Sequence, residues 1–395
     1  MTIRLFDQDS YLRNFDSKVI KVLGANKKRK VVLEQTAFFP AGGGQSADGG
    51  TLNGHKVLQV EEKEGEIYHL IEGEIQEGDI ITGDIFWEER FDKMQQHTGE
   101  HIVSGLVNQV FGYHNVGFHL GEELSTLDFN GELSGEQLMK IEDLANEAIY
   151  KNVEVEVLYP TKAELKRFEY RSKIDIEGQV RLVRIKDYDT CACCAPHVHK
   201  SGEIGIIKFV GIKSYKGGCR ISMICGKRAL YDYRVKASDI KSMAVLFSKK
   251  EHQVLKCVEQ LSEEKGRSQY ELQRCKTKLL SYYVNEILEK HVGERLCYFT
   301  GKNDGVQARE MVNLVLEKGI HLCAVFTTTN INQYRYVIGS NTVDVKKLGN
   351  NLCQQFAGTG GGSTQMIQGM VSGEKKELQD FVINYQTEET NGNKS

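Results

Sequence analysis

Two short stretches, far apart in the chain, concentrate side chains that bind metals. "HTGEH" places His97 and His101 four residues apart, and "CACCAPHVH" at 191–199 holds three cysteines and two histidines in nine positions. If one ion draws ligands from both, the ninety or so residues between them must fold so that their ends meet. On a helix, residues i and i+4 share a face with Cβ atoms roughly 5–6 Å apart, which suits two imidazoles reaching one zinc. Thr98 follows His97, so the glutamate that a zinc protease places there is absent. Gly99 costs a helix about 1 kcal/mol relative to alanine, which makes sense if something approaches closely there.

In the second stretch Cys191 and Cys194 form C-x-x-C. A redox pair needs a strand before it and a helix after it. Here strand-like "RLVRIKDY" precedes and strand-like "EIGIIKFVGI" follows, which disfavours redox chemistry. Cys193 and His197 are also four apart, and a turn at Pro196 aims both at a common point. Cys191, Cys194 and His199 compete as ligands, and spacing does not choose among them. Imidazoles with a thiol make a borderline-soft set that favours zinc.

The rest of the chain sets the context. Its 395 residues suffice for several domains. No apolar run approaches a membrane span of ~18 residues, and the start has no signal pattern, so the expectation is a cytoplasmic chain with its ten cysteines reduced. A net charge of −3 gives no global basic field. Nucleic acid binding would need local patches such as "KKRK" at 27–30, "TKAELKRFEYRSK" at 161–173 or "KSYKGGCR" at 213–220.

Turn signals such as Asn53-Gly54 between short β-type runs predict a small antiparallel β-barrel over residues 1–90. Residues 91–228 read as an α+β domain with an antiparallel sheet. It contains a helix through Met94, Ile102, Leu106 and Val110 and a second helix opened by a Ser134/Gln137 capping box. Residues 229–292 lack proline and carry a 3–4 apolar spacing. They predict a helical connector, either one long helix or a hairpin with its turn in "SEEKGRSQ", read as a plain spacer or as a dimer-forming coiled coil. Residues 293–386 read as an α/β domain, and the polar tail 387–395 as disordered. The fold class is therefore a multidomain α+β chain.

In this order, "LEQTAFFPAGGGQSADGG" at 33–50, "HTGEH", "CCAPHVHKSGEIG" and "FAGTGGGSTQMIQGMV" at 356–371 resemble blocks of the alanyl-tRNA synthetase editing domain and its DHH-associated C-terminal domain. Without an aminoacylation half, the likeness is to the free-standing, long-type AlaX proteins. One departure stands out: Cys193-Cys194-Ala195-Pro196-His197 replaces the family's C-G-G-T-H. The resemblance implies a zinc-dependent deacylase that hydrolyses mischarged seryl-tRNA for alanine, with glycyl-tRNA as a further substrate. Serine is alanine plus a hydroxyl, which a synthetic pocket rejects poorly, so a second hydrolytic site is needed.

The implied zinc ligands are His97, His101, Cys193 and His197, with His197 the exchangeable fourth and itself part of the catalytic set. Thr36 would read the serine hydroxyl and Gln45 would approach substrate or water, both as catalytic and substrate-binding residues. His119 and Asp128 are further pocket candidates. Gly358, Gly360, Gly361 and Gly362 would meet tRNA phosphates through backbone N–H groups. The implied partner is mischarged alanine tRNA, with a homodimer through the helical connector or C-terminal domain and no membrane. The alternative is a non-catalytic RNA-binding protein with a structural zinc.

Overall fold

The computed structural model describes residues 1–24, 28–172, 178–301 and 305–386. Lys27 of the first basic patch, Lys173 of the second, and the tail 387–395 lie outside the described residues. The chain divides into two compact units, Met1–Glu251 and His252–Ser395.

In the first unit six strands close on themselves. Asn14–Leu23 pairs with Lys28–Leu33, which pairs with Glu66–Glu72, then His55–Lys63, Gly50–Leu52 and Ile80–Ile85, and the last returns to Asn14–Leu23. Alternation drives this arrangement. Phe15, Val19, Val31, Leu52, Val57, Val60, Ile67, Ile71, Ile81 and Ile85 point inward and form one core. Ala195, from the cysteine-rich stretch, packs into that same core.

Helix Trp87–Phe111 follows and is buried on every side from Met94 to Val107. A helix so enclosed is normally apolar all round. This one is not, so its polar groups must be paired. Gln95 Nε2 donates to the Glu203 carbonyl at 2.8 Å, and Gln96 exchanges bonds with both backbone groups of Cys225 at 2.8 and 3.1 Å. Gly99 leaves room for the Cys225 sulfur, which would lie 2.6 Å from any Cβ there. The close approach expected from Gly99 is thus a packing contact with Cys225.

A two-stranded parallel pair, Ile3–Arg4 with Gln35–Thr36, and two antiparallel sheets also belong to the unit. One has the order Ile207–Tyr215, Gly218–Cys225, Ser125–Phe129, Asn115–Leu120; the other Val155–Leu158, Leu182–Ile185, Asp189–Ala192. Helix Gly135–Lys151 opens with the expected capping box: Gln137 N donates to Ser134 Oγ at 3.2 Å, and Ser134 N to Gln137 Oε1 at 2.8 Å. It buries Ile141, Ala145, Ala148 and Ile149.

The helical segment differs from expectation. Helix Gly226–Leu246 belongs to the first unit and Val254–Glu289 to the second, so the break falls at 247–253, where Ser248 takes φ 52°. "SEEKGRSQ" is continuous helix, because nothing in it forbids helical φ/ψ and only Gly266 weakens it. The second unit then forms a five-stranded sheet ordered Arg295–Thr300, Leu322–Asn330, Gln333–Ser340, Met366–Ser372, Thr359–Gly362. Its first pair is parallel and the rest antiparallel. The glycine-rich stretch is therefore not a loop. Thr359–Gly362 is an exposed edge strand, paired on one side only.

Candidate metal centre

The buried helix presents His97 and His101 towards the turn after strand Asp189–Ala192, which carries Cys193 and His197. The donor atoms of these four side chains all lie within 4.8 Å of one another. Cys193 Sγ is 3.3 Å from His197 Nε2 and 3.6 Å from His97 Nε2. Ligands of a tetrahedral zinc with bonds of 2.0–2.3 Å sit roughly 3.3–3.8 Å apart, so the set fits such an ion.

Each imidazole is held from behind by its other nitrogen. His97 Nδ1 bonds Gln45 Oε1 at 2.9 Å, His101 Nδ1 bonds Asp189 Oδ2 at 2.9 Å, and His197 Nδ1 bonds Thr98 Oγ1 at 3.0 Å. With acceptors at all three Nδ1 atoms, the Nε2 lone pairs turn to the centre, the arrangement that orients histidine ligands. Asp189 is itself gripped by Arg171, whose Nε and Nη2 each donate at 2.7 Å. His101, Asp189 and Cys191 also cluster. The Arg171 fork already compensates that carboxylate, so the trio belongs to the layer behind the centre.

The local fields at Cys193 and His197 agree with ligand duty, whereas the field at His101 favours a proton that a bound metal would displace. Burial would raise the Cys193 thiol, but the imidazoles of His97 and His197 outweigh it and hold the thiol well below its usual value. A thiolate is the form that binds metal. Burial pulls His197 down to about 3. Burial would lower His101 too, yet its bond to Asp189 prevails and raises it. Burial pushes Cys194 up to about 11 and raises Cys191, the opposite of what a redox nucleophile needs.

Gln45 is delivered by a two-residue turn. Gly43 and Gly44 take φ 60° and 84°, and Gly42 and Gln45 exchange backbone bonds at 3.0 Å. A Cβ at Gly44 would lie 2.7 Å from the Phe118 carbonyl oxygen. The turn also docks on a strand, where Leu120 N donates to the Gly44 carbonyl at 3.0 Å. Asp48 pins the loop by accepting from Phe39 N at 2.6 Å and by a fully buried ion pair with Arg90. Gln45 Nε2 is buried and has no hydrogen-bond partner among the described residues.

The remaining candidates lie elsewhere. Thr36 has no exposed surface; its hydroxyl bonds His69 Nε2 at 2.9 Å and accepts from Phe38 N at 3.1 Å. Asp128 is taken by Arg220, at 2.5 and 2.7 Å. His119 is exposed and pairs with Thr126 across the strands. The Cys194 thiol sits over Gly42 and Gly43, outside the ligand set, and His199 stacks on Tyr11 at 4.0 Å. Sequence reading passed over Asp189, Arg171, Asp48 and Arg90, and named Thr98 only for the glutamate it stands in place of. Only Asp48 left a signal, as the aspartate of the "GGGQSADGG" block.

Comparison with known proteins narrows this arrangement to a class. Residues 180–222, which include Cys193 and His197, match the family described as "Threonyl and Alanyl tRNA synthetase second additional domain". More particularly, the chain is similar to free-standing alanyl-tRNA editing proteins. It is 33% identical over 242 residues to alanyl-tRNA editing protein AlaX-L of Pyrococcus horikoshii, covering 58% of this chain and 59% of that protein. It is 32% identical over 257 residues to alanyl-tRNA editing protein Aarsd1 of Danio rerio, covering 60% and 62%. Alanine–tRNA ligase of Pyrobaculum calidifontis is 27% identical over 399 residues, which span 96% of this chain and 44% of the ligase. The matches thus span well under the full length of these relatives.

Proposed function

We propose that the chain is a metal-dependent deacylase that hydrolyses mischarged tRNA, with seryl-tRNA for alanine as the first substrate and glycyl-tRNA as the second. The observation that carries this is the convergence of His97, His101, Cys193 and His197, each imidazole held at Nδ1, in a chain similar to proteins named for alanyl-tRNA editing. Zinc bound there would supply Lewis acidity and favour deprotonation of water near neutral pH.

The chain's own groups do the positioning. Gln45 fixes His97 through Oε1 and offers its unpartnered Nε2–H to a substrate oxygen. His197 leans on a neutral hydroxyl, whereas His101 leans on a carboxylate that raises its basicity, so His197 is the ligand that gives way. Thr36 donates to His69 and accepts from Phe38 N, which leaves one lone pair for a serine hydroxyl. Being fully buried, it is reached only by displacing a neighbour. His119, exposed, is kept as a further substrate contact, while Asp128 is committed to Arg220. The exposed edge strand with Gly360, Gly361 and Gly362 is proposed to meet tRNA phosphates through backbone N–H groups; the Gly358 N–H is already given to the Cys353 carbonyl at 2.9 Å. The stripe through Val258, Leu261, Leu272 and Leu279 on helix Val254–Glu289 is exposed and is proposed for self-association.

Incubating the protein with serine-mischarged alanine tRNA should release serine, and His97→Ala or Cys193→Ala should abolish the release; wild-type rates in both variants would refute the site. The four-donor set also fits a second reading, a closed structural zinc in an RNA-binding protein. In that case chelation unfolds the first unit and no ester is cleaved. Among the described residues no helix is long and apolar enough to cross a membrane.

A further inference from the structure

Four side chains form a row beside the loop that carries His197. The Arg13 guanidinium lies over the Trp87 ring at 4.2 Å, Trp87 sits against Tyr11 at 5.1 Å, and Tyr11 stacks on His199 at 4.0 Å and 25°. Phe91 backs the row at 5.4 Å from Trp87. Both ends, Arg13 and His199, are exposed, as is Lys200.

The row is rigidly mounted. Tyr11 OH donates to Glu203 at 2.5 Å and accepts from His199 N at 3.3 Å. Ser10 Oγ donates to the His197 carbonyl at 2.9 Å, and Arg90 Nη1 donates to the carbonyls of Ser10 and Leu12. The nearby acids are engaged: Glu203 by Tyr11, Asp9 by Tyr11 N, and Glu88 by Lys227. His199 is two residues from His197, so their Cα atoms are at most ~7.6 Å apart.

Resting on the deacylase reading, we propose that Arg13, Trp87, Tyr11 and His199 form a stacking platform for the unpaired bases at the 3′ end of the RNA. Single-stranded nucleic acid is held by aromatic faces and arginine planes in this way, with cations tracking the backbone. Tyr11, Trp87 and Phe91 pack against the core of the unit, which fixes the row, while Arg13 and His199 at its two ends are exposed and present the outer faces on which bases would stack. Its place beside the His197 loop would hold the unpaired bases while the terminal ester reaches the metal centre.

Trp87 is the single tryptophan of the chain, so its emission reports on the platform. Full-length protein should be titrated with a dye-labelled RNA hairpin carrying a CCA overhang and with the same hairpin lacking it. The overhang should change Trp87 emission saturably and the blunt hairpin should not. By dye anisotropy, Arg13→Ala and His199→Ala should each weaken overhang binding about tenfold. Arg13 is remote in sequence from the ligand loop, so its variant decides even if His199→Ala disturbs the fold. Equal binding of both hairpins, or wild-type affinity in Arg13→Ala, would overturn the platform. Serine release alongside such a failure leaves the deacylase reading standing; overhang binding without any ester hydrolysis rejects that reading and keeps the platform.

Discussion

Three imidazoles depend on three different acceptors: an amide oxygen, a carboxylate and a hydroxyl. Only the carboxylate is charged, and Arg171 fixes it. Asp189→Asn and Arg171→Met should therefore each weaken metal affinity about 10- to 100-fold, read by competition with a chromophoric chelator. Loss confined to Thr98→Ala would contradict this ranking. His69, inside the barrel, gives a pH signature. Burial lowers it to about 4, so between pH 4 and its unfolded value of ~6.5 the unfolded chain holds more protons. Stability is then full above ~6.5 and falls as pH drops towards 4. His69→Gln should flatten that slope in urea titrations across this range; an unchanged slope would place the titration elsewhere. The histidine and cysteine clusters were legible because ligand spacing survives in sequence. Asp189 and Arg171 were not, because they meet only through the chain's passage beside strand Asp189–Ala192, where Arg171 forms a bridge with Cys191.

Helix Trp87–Phe111 shows what a periodicity reading misses. Its apolar stripe gave the helix, but not the burial of Gln95, Gln96, Thr98 and Glu100. Gln95, Gln96 and Thr98 bond backbone groups distant in sequence, and Glu100 accepts from the Ser104 and Asn115 side chains, pairings that no local pattern announces. Gly105 is a sharper instance: a Cβ there would strike the Tyr188 carbonyl oxygen and Asp189. Alanine gains about 1 kcal/mol in helix propensity, but overpacking costs typically ~1–3 kcal/mol. Gly105→Ala should thus lower the denaturant midpoint of the first unit, and a higher midpoint would show that the contact gives way freely. The break between the two long helices was misplaced for a related reason. Polar, exposed helix and polar turn look alike in sequence when no proline separates them.

At the scale of the molecule, sequence order conveyed the succession of strand-rich, mixed, helical and mixed segments, while the division at Glu251/His252 emerged only from packing. The barrel and the metal-bearing layer share one unit, tied by the buried Arg90–Asp48 pair. Breaking such a pair typically costs ~3–5 kcal/mol, so Arg90→Met should destabilise the first unit by that order in urea and release the loop that carries Gln45. If the exposed stripe on helix Val254–Glu289 drives self-association, Leu261→Glu with Leu272→Glu should yield monomers in sedimentation; an unaltered mass would assign the stripe no such role. The account as a whole rests on an ion at the four-residue centre that serves chemistry rather than architecture. Its most direct test is serine release from mischarged tRNA by one protein sample before chelation, after chelation, and after zinc is restored, with far-UV circular dichroism followed throughout. We predict activity lost and regained while the fold persists; activity unaffected by chelation, or a fold that collapses without ever having released serine, would contradict it.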